Sequence, residues 1–325
     1  MAVVNEKRLA YIVKLCKDFP SAGTMTLAKK AFKEHPKWFK SVDVARQAVR
    51  YQRGEIGELH RKSVKKPIPT TKYELPKSYS VSNKPYVIEG KRVLGMFDVH
   101  LPYHDIPALE ATIAWAKPKK PDTILLGGDI MDCHDLSKFE KDPEARSFKE
   151  EREALIQFVK YIQHTFKGAK VIYMEGNHEY RYERFMKSQS VRFLDIEHFQ
   201  FPTVMKLDEM GVDYINQKRK IRFAGLSIFH GHEFGESVFS PVNVARGLYL
   251  RAKASSICGH HHATSEHSER DVNDKLVTTW SVGCLCTLNP SYRPYNKWNH
   301  GFVYMERDGN EYNVHNKRIL NGRIL

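Results

Sequence analysis

The stretch Lys170-Val171-Ile172-Tyr173-Met174-Glu175-Gly176-Asn177-His178-Glu179 passes from an apolar half into a cluster of carboxylates, an amide and an imidazole. Val, Ile and Tyr suit a pleated, buried surface, so residues 170–174 predict a strand. The same texture recurs on both sides. Arg92–Phe97 ends in Asp98-Val99-His100, and Thr123–Leu126 in Gly127-Gly128-Asp129. Leu226–Phe229 ends in His230-Gly231-His232, and Ser255–Cys258 in Gly259-His260-His261-His262. Helical patterns over Ile106–Trp115 and Glu150–Phe166 separate the first three strands, while Val277–Ser281, Gly301–Glu306 and Tyr312–Lys317 read as later ones. Strand–helix alternation predicts an α/β sheet. Open α/β sheets gather reactive groups at the carboxyl ends of their strands, where these clusters fall.

Each cluster has a metal-binding logic. On an extended segment alternate side chains share a face, so Asp98 and His100 are expected to turn toward one ion. His260 and His262 are expected to do the same, with His261 pointing away. The Asp129 carboxylate has two oxygens able to bridge two cations, Asn177 offers an amide oxygen and His230 an imidazole. A single buried Asp or His at a strand end is more often structural than a ligand; five clusters in this order, each after a strand, point to a metal site. Imidazole with carboxylate and amide oxygen suits Mn, Fe, Zn, Ni or Co better than Ca or Mg alone. Two such cations about 3.5–4 Å apart can hold a phosphate and position a bridging hydroxide for in-line attack.

Together the motifs resemble the calcineurin-like metallophosphoesterase superfamily: Asp98/His100, Gly128-Asp129-Ile130-Met131-Asp132, Gly176-Asn177-His178-Glu179, His230 and Gly259-His260-His261-His262. The resemblance spans about residues 91–305 and no motif departs from the family pattern. It implies a two-sheet αββα sandwich and a dinuclear site, with manganese first among the candidate metals. One cation would be held by Asp98, His100, Asp129 and His262. The other would be held by Asp129, Asn177, His230 and His260, Asp129 bridging. His178 would act beside the phosphate as general acid or transition-state stabiliser, and Asp132 would orient a ligand histidine. His232, two residues beyond His230, is the alternative ligand there.

Other residues carry weaker signals. Arg181 and Arg184 follow the Gly-Asn-His-Glu motif closely and read as substrate-phosphate contacts or as surface charges on a helix. His104 and His134 lie a few residues beyond metal motifs and are candidates to line the cleft. Tyr292, Tyr295, Trp298 and His300 cluster after the last motif and read either as loop packing or as a platform for a base.

Charge divides the chain. The formal net charge is +14, and residues 1–85 hold 19 Lys/Arg against 7 Asp/Glu, while residues 86–325 hold 33 against 31. Concentrated positive charge attracts polyanions, nucleic acid above all. Apolar spacing predicts helices over about Asn5–Phe19, Thr24–Glu34 and Val42–Gln52, the last with Ser41 as N-cap. Residues 1–54 thus read as a basic three-helix, helix-turn-helix-like domain, with Arg46, Arg50 and Arg53 as candidate nucleic-acid contacts. Residues 55–88, with Lys62, Lys65, Lys66 and several prolines, read as an extended basic linker, and residues 89–325 as the phosphoesterase domain. This layout resembles that of bacterial-virus proteins with a small helical module ahead of such a domain. The leading expectation is a nuclease or end-processing phosphatase, on DNA more than RNA. The alternative is a phosphatase or phosphodiesterase for small nucleotides or phosphoproteins, with the basic domain as a docking module. Five scattered cysteines, no secretory pattern and no apolar run of spanning length point to a reduced, cytoplasmic protein without a membrane partner, in the host cytoplasm if phage-encoded. Oligomeric state is not legible.

Overall fold

The computed structural model describes residues 2–58, 77, 79, 84–140, 145–234 and 242–325, with the side chains of residues 2–5 left aside. The chain forms two compact units, residues 1–80 and 81–325. In the first, α1 (Ala2–Asp18), α2 (Thr24–Glu34) and α3 (Val42–Gln52) enclose a small core of Ile12, Leu15, Leu27, Ala28, Ala31, Phe39, Ala45 and Val49. Ser41 caps α3, its hydroxyl accepting from the Val44 N–H at 3.3 Å.

The expected contacts of this unit divide. Arg46 is exposed. Arg50 pairs with Glu55 at 3.4 Å. Arg53 is half-buried, and its guanidinium donates to Thr24 Oγ1 at 3.2 Å and to the carbonyls of Phe19 and Pro20 at 3.2 and 3.3 Å. Lys62, Lys65 and Lys66 lie outside the described residues.

In the second unit the elements run β1 (Tyr86–Val87), β2 (Arg92–Met96), α4 (Ile106–Ala116), β3 (Thr123–Leu126), α5 (Phe148–Thr165), β4 (Lys170–Met174), α6 (Tyr180–Ser190), α7 (Phe201–Val204), β5 (Asp213–Ile215), β6 (Ile221–Phe223), β7 (Leu226–Phe229), α8 (Val244–Ala252), β8 (Ser256–Cys258), β9 (Ser265–Arg270), β10 (Leu276–Ser281), β11 (His300–Asp308), β12 (Glu311–Leu320) and β13 (Arg323–Ile324). They build a seven-stranded sheet, β13-β12-β11-β2-β3-β4-β5, and a six-stranded sheet, β1-β6-β7-β8-β10-β9. Strands β2 to β5 run parallel to their neighbours in that series, and β11 closes antiparallel onto β2.

Alternation within the strands fixes the layers. Leu94, Ile124, Leu126, Val171 and Tyr173 face Leu109, Ile113, Leu155 and Val159 of α4 and α5. Their neighbours Val93, Leu125, Ile172 and Met174 face Ile221, Leu226, Ile228, Ile257 and Trp280 of the other sheet. Buried on both faces, these strands read as continuous apolar runs. Helix α8 packs on β8, β9 and β10, so helices flank both sheets of the mixed α/β sandwich. Tyr86 and Val87, read above as linker, instead pair in parallel with Ile221 and Arg222, and Ile88 is buried in the intersheet core. The apolar triplet Tyr-Val-Ile has surface to bury and an unpaired strand edge to occupy.

Candidate metal centre

Asp98, His100, Asp129, His230 and His262 are all buried at the carboxyl ends of β2, β3, β7 and β8, where the intersheet core gives way to loops. Their convergence does not come from strand alternation. Asp98, His100, Asp129, His260 and His262 all have left-handed backbones, with φ of 53°, 51°, 50°, 67° and 54°. A non-glycine residue there is uncommon and costs about 1 kcal/mol, although Asp and His tolerate it better than branched residues. Each strand stops before its motif, and the chain then coils tightly enough to turn successive ligands inward.

Carboxylates hold those coils in place. Glu179, with no exposed surface, accepts from the N–H groups of Asp129, Ile130, Met131 and Gly176 at 3.0, 2.7, 3.0 and 2.9 Å, and from the Tyr173 hydroxyl at 2.7 Å. Asp98 accepts from the His260 N–H, and Glu233 from those of His230 and Gly231. Glycine is needed where the coils touch. A Cβ on Gly176 would lie 2.2 Å from Asp129 Oδ1, and one on Gly128, at φ +89°, 2.6 Å from His230 Nδ1.

The side chains then gather in two groups that share Asp129. Asp98, His100 and Asp129 form one set of potential ligand atoms, and Asp129, His230 and His260 another. His262 joins the first, with Nε2 3.3 Å from Asp98 Oδ1 and 3.3 Å from His100 Nε2. Asn177 joins the second, its Oδ1 3.2 Å from His230 Nε2, which is itself 3.1 Å from Asp129 Oδ2. His232 is engaged elsewhere, its Nε2 2.9 Å from Gln217 Oε1. His261 is half-buried beside the His260 ring.

Tautomers decide what this arrangement can hold. His100 Nδ1 faces Asp132 Oδ1 at 2.9 Å, His230 Nδ1 faces the Gly127 carbonyl at 3.1 Å, and His262 Nδ1 faces Cys286 Sγ at 3.8 Å. With Nδ1 turned to an acceptor, the Nε2 lone pair of each imidazole points into the cluster. Two such lone pairs, on His100 and His262, then meet at 3.3 Å. Positive charge between them relieves that repulsion, and a divalent cation supplies it; the residues present fit the metal pair. The same negative field that would draw a cation draws protons when none is bound. Burial opposes a charge on His230 and His262, yet Asp129 and Asp98 beside them push both up to about 10. Burial, then the nearby His230 charge, pushes His260 down to about 3, leaving it a neutral donor.

Beside the cluster, His178 Nδ1 lies 2.7 Å from the Asp132 carbonyl and 3.1 Å from its Oδ1, so Asp132 orients both His178 and His100. His178 Nε2 is 2.9 Å from Arg181 Nη2 and 3.7 Å from Asp129 Oδ2. Arg184 is exposed one turn further along α6. His134 starts a short turn whose N–H donates to Glu151, and His104 lines a groove with Ile106, Leu109 and Tyr161. The carboxylate braces Glu179 and Glu151, and Cys286 behind His262, had no functional reading in the sequence beyond the last letter of Gly-Asn-His-Glu.

Residues 91–280 match the family described as calcineurin-like phosphoesterase. This chain belongs to that family. Members are metal-dependent hydrolases of phosphate esters that use a dinuclear metal site. The phosphoesterase is 26% identical over 249 residues to the Gene 54 protein of Mycobacterium phage L5, covering 72% of this chain and 96% of the relative. Similar solved structures include a dimetal phosphatase from Danio rerio, at 11% identity and TM-score 0.35 over 70% of this chain and 96% of that one. Another is the Yfce phosphoesterase from E. coli, at 13% identity and TM-score 0.32 over 66% and 87%. Among the described residues, no helix of the phosphoesterase is long and apolar enough to cross a membrane.

Proposed function

We propose that this phosphoesterase hydrolyses phosphate esters in nucleic acid, DNA before RNA, as a nuclease or end-processing phosphatase with manganese as its first-choice metal. The observation that carries the reading is the charge division: 19 Lys/Arg against 7 Asp/Glu in residues 1–85, beside near balance in the remainder. A neutral hydrolase unit joined to a basic helical one suits a long polyanion better than a small phosphate ester.

Two bound cations would neutralise the phosphate and lower the pKa of attacking water. Asp98, His100, Asp129 and His262 would hold one, and Asp129, Asn177, His230 and His260 the other. The rest of the work falls to side chains in place. Asp132 fixes the His178 tautomer with Nε2 toward the cleft. Burial and Arg181 oppose a charge on His178, but Asp129 and Asp132 hold its pKa above the ordinary histidine value; once Arg181 gives up its bond to Nε2 for a phosphate oxygen, Nε2 can carry the proton a leaving oxygen needs. Arg181, 2.9 Å from His178, sets a permanent cation beside it, suited to a charge-assisted bond with a phosphate oxygen.

The test is a manganese-dependent assay on single-stranded, double-stranded and end-phosphorylated DNA and RNA, with Asp129→Asn as control. Cleavage or dephosphorylation of a nucleic acid, lost in the variant, is expected. Turnover of p-nitrophenyl phosphate or cyclic nucleotides with every nucleic acid left intact would overturn the reading.

A further inference from the structure

The loop between β10 and β11 adds a feature that phosphate chemistry alone does not require. Trp298 lies against metal-site residue His262, ring centroids 4.1 Å apart, and the Arg293 guanidinium sits 5.8 Å from the Trp298 ring centroid. Tyr292 and Tyr295 are 73% and 96% exposed. Tyr292 precedes Arg293 in the same loop, and the charges of Asp132 and Arg181 are felt at its hydroxyl.

This loop is built rather than slack. Asn296 donates to the Arg293 carbonyl at 2.9 Å and accepts from the Trp298 N–H at 2.9 Å. Its end is tied to the metal loops: the Asn299 N–H donates to the His262 carbonyl at 2.8 Å, and Asn299 Oδ1 accepts from Thr264 at 3.0 Å. Aromatic surface exposed on a hydrogen-bonded loop tied to a phosphate site is available to a ligand's apolar face.

We propose that Tyr292, Arg293, Tyr295 and Trp298 form a stacking subsite for an unpaired nucleobase next to the scissile phosphate, making single-stranded nucleic acid the preferred substrate. Aromatic faces and a guanidinium plane accept any base, so the subsite selects strandedness rather than sequence. A base inside a duplex is already stacked on both faces and cannot use it. This inference rests on the nucleic-acid reading above.

The experiment compares a short oligothymidylate with an abasic oligomer of equal length, in manganese, for the full-length wild type, Tyr292→Ala and Tyr292→Phe. Wild type is expected to favour the base-bearing oligomer in kcat/KM by about tenfold or more, mostly through KM. Tyr292→Ala should collapse that ratio toward one and Tyr292→Phe should keep it. Equal wild-type rates on both oligomers, or a ratio untouched by Tyr292→Ala, overturns the subsite while the nucleic-acid reading stands. If neither oligomer is hydrolysed but p-nitrophenyl phosphate is, the nucleic-acid reading falls and the subsite with it.

Discussion

Glu179 shows how much of a metal site rests on a residue that need touch no metal. Its carboxylate takes five donors, four of them backbone N–H groups of the loops carrying Asp129 and Asn177. Glutamine would present an NH2 where two of those donors point, leaving buried groups unsatisfied at about 3–5 kcal/mol. Glu179→Gln is therefore expected to lower the thermal midpoint of the phosphoesterase unit by roughly 10 °C, and calorimetry within about 2 °C of wild type would refute the assignment. Glu151 makes a pH-dependent counterpart. It braces the Cys133 and His134 N–H groups, and burial first, then the Asp132 charge, pushes its carboxyl up from 4.5 to about 8. A raised native pKa means the folded state holds this proton more tightly than the unfolded one. The stabilisation is complete below 4.5 and is lost as pH rises through about 8. Glu151→Gln should thus gain in thermal midpoint relative to wild type between about pH 5 and about pH 9; a pH-independent difference would show that the carboxyl is ionised throughout.

At the scale of elements, the same distinction between holding and binding applies to α3. Arg53 at its end clamps the α1–α2 turn through Thr24, Phe19 and Pro20. Arg53→Ala is expected to destabilise the helical unit by about 1–3 kcal/mol, seen as an earlier helical melt by circular dichroism. Lower DNA affinity with an unmoved melt would instead support Arg53 as a nucleic-acid contact. Sequence pattern made the long elements legible for a physical reason. Strands β2, β3 and β4 are buried on both faces and read as apolar runs, and α2 and α3 carry clear helical periodicity. The elements it missed lack those signals. Strand β9, Ser-Glu-His-Ser-Glu-Arg, is an exposed edge held by pairing with β10. Strands β1, β5 and β6 are two or three residues long. The same limit explains the site: residue type announced Asp98, His100, His260 and His262, but not the left-handed coils that aim them, because Asp and His reach that conformation without a glycine to mark it.

For the whole molecule, the deciding quantity is where its charge sits. With 33 Lys/Arg against 31 Asp/Glu after residue 85, the proposed salt-dependent grip on DNA is expected from the basic first quarter. Phosphates neutralised on binding release counterions, so log affinity falls against log salt with a slope of about −0.9 per contact on duplex and about −0.7 on single strands. About five engaged cations, a fraction of those available, would give the full chain a slope near −4. Residues 1–80 have a core separate from that of residues 81–325, so removing them should leave the sheets intact. The truncated protein is expected to turn over p-nitrophenyl phosphate within about twofold of the full chain, while its slope on DNA flattens to about −1 or less. Fluorescence anisotropy across a salt series measures this directly. An unchanged slope would move the polyanion contact onto the phosphoesterase unit, where Arg181, Arg184 and Arg293 would be the first cations to replace.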